Sequence, residues 1–133
     1  MLGLRKHNVL DYLVAVVLFL APFVLRFSAV EPARNLFMAS GAFVFLYSIF
    51  TNYYYAAGRV ISLGVHMTLD TLVGVNLMIA PWVLKYRIEI GPWIEGFHYL
   101  AGLGILVMVG LTAERSERSK RLHHVRIEVP LMH

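Results

Sequence analysis

Residues His7 to Leu25 and His66 to Leu84 are two copies of one segment. Aligned without a gap at a constant offset of 59, they are identical at eleven of nineteen positions. The identities are His7/His66, Leu10/Leu69, Asp11/Asp70, Leu13/Leu72, Val14/Val73, Val16/Val75, Leu18/Leu77, Ala21/Ala80, Pro22/Pro81, Val24/Val83 and Leu25/Leu84. Two apolar helices share Leu and Val through composition alone, but a matched His, Asp and Pro point to a duplicated unit. The segments that follow match more weakly, Gly41 with Gly102 and Thr51 with Thr112, after a two-residue slip in the loop. Any fold for this chain must therefore place the same unit twice.

The unit belongs in a membrane. Four apolar stretches stand out, 9–25, 36–50, 60–84 and 94–111, and each extends to about the twenty residues that cross roughly 30 Å of hydrocarbon. Apolar residues make up 59 % of the chain and charged residues 15 %, against roughly 45–50 % and 25 % in soluble domains. A water-soluble chain this short has no interior large enough to hide that surface. Between the stretches lie helix-stopping residues, Pro32, Gly58, and Gly91 with Pro92. Backbone amides in lipid must be satisfied within their own segment, so the spans are expected to be helices. The opening Arg5-Lys6 followed by a long apolar run resembles a signal peptide. The run is too long, and its Ala21-Pro22-Phe23 end suits a retained span.

The expected fold is an all-α membrane protein of four transmembrane helices, arranged as two parallel-topology two-helix repeats about a pseudo-two-fold axis along the membrane normal. Residues 1–112 form the membrane domain, with repeat one at about 7–53 and repeat two at about 66–112, and 113–133 form a charged cytoplasmic tail. With the N-terminus cytoplasmic, that side carries eight basic residues, Arg5, Lys6, Arg59, Arg115, Arg118, Lys120, Arg121 and Arg126. The other side carries four, Arg26, Arg34, Lys85 and Arg87. The balance places both termini in the cytoplasm, in a cytoplasmic membrane of bacterial type. Tyr53, Tyr54, Tyr55, Trp82, Tyr86 and Trp93 are expected as interface anchors.

These residues resemble a known family, the SPW-repeat membrane proteins. Its unit is two transmembrane helices, with a His-x-x-Leu-Asp start and a Ser-Pro-Trp motif ending the first helix. The resemblance spans residues 7–112. Here the motif stands as Ala21-Pro22-Phe23 and Ala80-Pro81-Trp82, with Ala for the family's Ser in both and Phe for Trp in the first. Thr51-Asn52-Tyr53 is similar to the family's Thr-Asp-Tyr with the acid neutralised. The resemblance implies the topology and carries no reaction.

His7-x-x-x-Asp11 and His66-x-x-x-Asp70 each put an imidazole and a carboxylate on one helical face. Ionisable groups within a membrane are costly and are functional candidates by default. The functional reading is a symmetric polar site made from both repeats that binds a metal or conducts protons. The architectural reading has the carboxylates complementing the positive helix ends and tying Thr51 or Asn52, at the end of helix two, to helices one and three. Glu95-x-x-His98 has the i,i+3 spacing of di-metal bundles, without the further acids such a site needs. Its plainer reading is a helix-start carboxylate and an interfacial His98. Bis-histidine haem ligation by His7 and His66 is weighed as a third use. Asn76 is expected to hydrogen-bond across helices, with a ligand contact as the alternative. Glu114 to Arg121 reads as a solvated extension of helix four, and Val125 to Val129 alternates with period two, as an extended peptide would. His123-His124 is too isolated for a metal site.

The chain has no cysteine, no nucleotide loop and no Ser/His/Asp arrangement, so no catalytic apparatus is recognisable. Its basic residues lie in short flanks, which suits a lipid surface and not nucleic acid. Three functions stay open. One is association, as a homo-oligomer or as an accessory subunit, through the helices or through residues 113–133. The second is a small transporter or proton-conducting unit built on the His/Asp pairs. The third is a haem- or metal-binding redox protein. No cofactor is assigned by the sequence.

Overall fold

A computed structural model of the chain contains four helices, α1 (Leu4–Val24), α2 (Glu31–Phe50), α3 (Leu63–Val83) and α4 (Arg87–Glu128). It describes residues 3–51 and 60–128, and for residues 4 and 114–128 the backbone alone. Residues 5–24, 31–50, 63–83 and 87–113 are each long and apolar enough to cross a bilayer. Side chains such as Leu13, Leu20, Phe45, Leu72, Ile79 and Leu103 point outward, where only lipid gives them an apolar surrounding. The chain is an integral membrane protein.

Helix α1 packs along α2 and α3 along α4, while α2–α3 and α1–α4 meet over shorter lengths. Glycine sets how closely the partners approach. A Cβ on Gly41 would stand 2.6 Å from the Ala15 carbonyl oxygen and 2.7 Å from the Phe19 nitrogen. A Cβ on Gly102 would stand 2.4 Å from the Gly74 oxygen and 2.5 Å from Met78 Cγ. Ala15 and Phe19 precede Gly74 and Met78 by the repeat offset of 59, so the same contact is built twice. Gly104 and Gly110 have open space around them and face away from the packing.

Both first helices end alike. Pro22 and Pro81 lie in the last turns, the Leu25 and Leu84 amides donate to the Ala21 and Ala80 carbonyls, and Arg26 and Lys85 each take φ 60°. That left-handed residue turns the chain back towards the membrane. In α4 the break sits at Gly91, whose φ 68° and ψ 170° separate one turn from the long helix that Pro92 starts. No atom lies within 4 Å of where a Gly91 Cβ would be, so the constraint there is backbone conformation alone. Gly91→Ala is expected to cost about 1–3 kcal/mol. A thermal midpoint unchanged by that substitution would show that the break does not need this geometry.

Three expectations are corrected. Tyr86 is 1 % exposed, so it is a core side chain and not an interface anchor, whereas Trp82 and Trp93 do lie on the surface. Residues 125–128 continue α4 and are not extended, because each residue added to an existing helix gains a hydrogen bond that period-two patterning cannot outweigh. Asn76 is exposed on the outer face of α3 and makes no bond inside the bundle among the described residues. Tyr53, Tyr54, Tyr55, Asn52 and Val129 lie outside the described residues.

Candidate metal centre

The polar residues of α1 and α3 converge. His7 lies in the first turn of α1, its amide bonded to the Gly3 carbonyl at 2.9 Å. His66 lies in the first turn of α3, its amide bonded to the Ser62 carbonyl at 3.0 Å, with the Ser62 hydroxyl capping Val65. Asp11 and Asp70 follow one turn on, and all four side chains are fully enclosed. Nδ1, Nε2 and carboxylate atoms can be chosen, one per residue, that all lie within 4.8 Å of one another. His7 Nε2 is 3.5 Å from Asp11 Oδ1 and 3.3 Å from Asp70 Oδ2. His66 Nε2 is 3.2 Å from Asp11 Oδ2 and 3.1 Å from Asp70 Oδ2.

The second helices hold the imidazoles from behind, and they do so crosswise. Thr51, at the end of α2, lies 2.8 Å from Nδ1 of His66, and Thr112 of α4 lies 2.9 Å from Nδ1 of His7. Each threonine therefore serves the histidine of the other repeat. Thr51 is pinned where the chain crosses back, by a parallel bridge to Ile61 and by the Ile61 amide donating to the Phe50 carbonyl at 2.9 Å.

Counting hydrogens fixes the tautomers. A threonine hydroxyl has one proton, and Thr51 gives it to the Tyr47 carbonyl at 2.7 Å while Thr112 gives it to the Met108 carbonyl at 2.9 Å. Both hydroxyls must then accept from Nδ1–H, which turns the Nε2 atoms towards the carboxylates. Two carboxylates bring two negative charges into a water-excluded site, where uncompensated charge is expensive. One divalent cation, or two protons shared among the four groups, restores neutrality.

The two carboxylates are not equivalent. Tyr47 donates its hydroxyl to Asp70 Oδ1, leaving Oδ2 facing both imidazoles, and its ring stands 4.8 Å from that of His66. Met108 occupies the corresponding place in the second repeat and offers no donor, so Asp11 directs one oxygen to each histidine.

A protein-family model described as the SPW repeat domain matches residues 5–113, nearly the whole of this bundle. The chain belongs to the SPW-repeat family. No curated protein and no solved structure matches it.

The SPW motif itself lies at the opposite end of the bundle and is accounted for there. Pro81 has no N–H, so the Leu77 carbonyl loses its helical partner. His98 Nδ1–H donates to that carbonyl at 3.0 Å from α4. Trp82 donates through Nε1 to the Tyr99 hydroxyl at 2.7 Å, and Tyr99 donates to Glu95 at 2.9 Å. Glu95 also accepts from Arg87, whose guanidinium lies 4.0 Å over the Trp82 ring. The first repeat, with Phe23 for Trp, fills the same place with carbon. Phe27 and Phe37 stand where the second repeat has Tyr86 and His98, with ring centroids 5.3 Å apart, and Phe37 meets His98 at 4.7 Å.

Of the sequence-derived candidates, His7, Asp11, His66, Asp70 and Thr51 are thus brought together, and Asn52 lies outside the described residues. Glu95 and His98 are not brought together: one belongs to the surface network and the other to the core. Haem has no place between the histidines, because the carboxylates fill the space beside both Nε2 atoms. Sequence reading missed two contributors. Thr112 follows from applying the repeat to Thr51, and Tyr47 stands one helical turn before Thr51, an unused hydroxyl in an otherwise apolar run.

Proposed function

We propose that the quartet is a closed divalent-metal site and that this SPW-repeat protein is a non-catalytic, metal-binding membrane protein with both termini in the cytoplasm. The observation that carries the reading is that one nitrogen or oxygen from each of the four buried residues can be chosen so that all lie within 4.8 Å of one another, with His7 Nε2 at 3.5 and 3.3 Å and His66 Nε2 at 3.2 and 3.1 Å from the carboxylate oxygens they face. Charge-assisted hydrogen bonds are shorter, about 2.7–2.9 Å. A tetrahedral metal with bonds of about 2.0–2.2 Å to N and O keeps its ligands roughly 3.3–3.6 Å apart. Two imidazoles and two carboxylates suit zinc or a neighbouring first-row ion. They do not suit Cu(I), which prefers sulfur, or Mg²⁺ and Ca²⁺, which take six or more oxygens. Four protein ligands leave no open coordination position, the mark of a structural site. The metal would join α1 to α3, and so one repeat to the other.

A proton-conducting use finds less support. Between the quartet and His98 the described core is mostly apolar, with Leu18, Val44, Val73, Leu77 and Ile105, and the one buried polar side chain there, Ser40, is not itself ionisable.

Elemental analysis of the protein released gently from its own membrane is expected to show one first-row metal per chain, and Co²⁺ loading is expected to give the absorption of a tetrahedral ion. Thr51→Val and Thr112→Val, which remove the acceptors behind the imidazoles, are expected to lower metal affinity about 10–100-fold each. A chain that carries no metal and takes up none from Zn²⁺ or Co²⁺ solutions would return the quartet to the architectural reading. The protein would then be one that acts by association.

A further inference from the structure

We propose that the protein pairs with a second copy of itself in the membrane, across the outer face of α3, through Asn76. The polar side chains of α3 can be accounted for one at a time. Ser62 caps Val65, Thr68 donates to the Gly64 carbonyl at 3.0 Å and Thr71 to the Met67 carbonyl at 2.8 Å. His66 meets Thr51, and Asp70 accepts from Tyr47. Asn76 alone makes no hydrogen bond with the described residues, and it is exposed near the middle of the span. Hydrocarbon offers its amide nothing, and an amide left unsatisfied in lipid drives helices together.

The surroundings of Asn76 say what covers it. Leu72, Asn76, Ile79 and Val83 form one exposed stripe at the spacing that packs a helix against a helix. The first repeat carries the matching stripe, Leu13, Val17, Leu20 and Val24, with Val in place of Asn. That face needs only lipid. A side-chain amide is both donor and acceptor, so two copies of Asn76 facing each other across a two-fold axis satisfy each other. One such face per chain closes the assembly at a dimer. Had both repeats carried the Asn, the contact would have extended into an open array.

The absence of cysteine makes the test direct. In phosphatidylcholine vesicles at high dilution, Leu72→Cys or Ile79→Cys chains are expected to cross-link between copies, and Phe45→Cys chains, labelled on the outer face of α2, are not. Energy transfer between labelled chains is expected to give a dimer weakened about tenfold by Asn76→Val and retained by Asn76→Gln. Asn76→Val copies the residue of the first repeat and touches no packed side chain. At a dilution where the native chain too is monomeric, its thermal midpoint is expected to equal that of the native chain, which separates lost pairing from lost folding. A native chain that is monomeric at every dilution, an Asn76→Val chain that pairs as well as the native one, or cross-links from Phe45→Cys as strong as those from Leu72→Cys would each overturn the proposal. So would capture of the Asn76 face by a different protein in native membranes.

Discussion

Asp70→Asn is expected to make the thermal midpoint insensitive to Zn²⁺, whereas the native chain gains about 2.7 kcal/mol at a metal concentration a hundred times its dissociation constant. The substitution is chosen because the fold should tolerate it. An amide oxygen at that position still accepts from Tyr47, and the amide nitrogen can donate to the Nε2 lone pairs that the threonines hold inward. What is lost is the carboxylate that stands 3.3 and 3.1 Å from the two imidazoles. Asp70→Leu removes that substitute bonding, takes away the acceptor of the Tyr47 hydroxyl and leaves two buried imidazoles facing a single carboxylate. It is expected to cost about 3–5 kcal/mol even without metal. Calorimetry with and without a chelator distinguishes the outcomes. A Zn²⁺ response that survives Asp70→Asn removes Asp70 from the ligand set, and no response in the native chain removes the metal.

Gly41→Ala is expected to lower stability by about 1–3 kcal/mol or more, and Gly104→Ala to change it little. The added methyl meets the Ala15 carbonyl and the Phe19 amide at 2.6 and 2.7 Å, and backbone atoms cannot rotate away. At Gly102 one of the two clashing neighbours is Met78 Cγ, which belongs to a flexible side chain, and the other is the Gly74 carbonyl. The Gly74 carbonyl oxygen is the nearer of the two, at 2.4 Å, so Gly102→Ala should cost about as much as Gly41→Ala. Gly104, two residues further along the same helix, has nothing within 4 Å and serves as the control for helix propensity. Equal effects at 41 and 104, measured by denaturation in mild detergent, would mean that the helices do not meet at the distance described here.

Much of this architecture was legible in the residues themselves. Apolar length gave the four spans, and Pro and Gly gave their ends, because both act through local chemistry that needs no tertiary context. The repeat brought His7, Asp11, His66 and Asp70 forward as one candidate site. What the repeat could not convey was which threonine serves which histidine, since that depends on how two hairpins dock. Tyr47 was hidden for a related reason. An aromatic residue within an apolar run reads as packing until the depth of its hydroxyl is known. Tyr86 and Asn76 were misplaced because composition marks a residue as interfacial or polar without saying which side of the helix it occupies. At 125–128, a local alternation was read over too short a window to see the helix already running into it.

The crossed threonine–histidine bonds bear on how the chain is made. A first hairpin emerging alone into the bilayer has Thr51 but not the imidazole it serves, and Asp11 beside His7 but not His66. Those groups sit in the first turn or two of α1 and at the end of α2, a depth at which headgroups and water can still reach them. The newborn hairpin can therefore wait in a hydrated, soluble-ended state at no great energetic penalty. Arrival of the second hairpin supplies Thr112, His66 and Asp70 together, and only then can the polar groups be sealed from water. Maturation of such a protein is thus a dehydration event, completed late and by both halves at once.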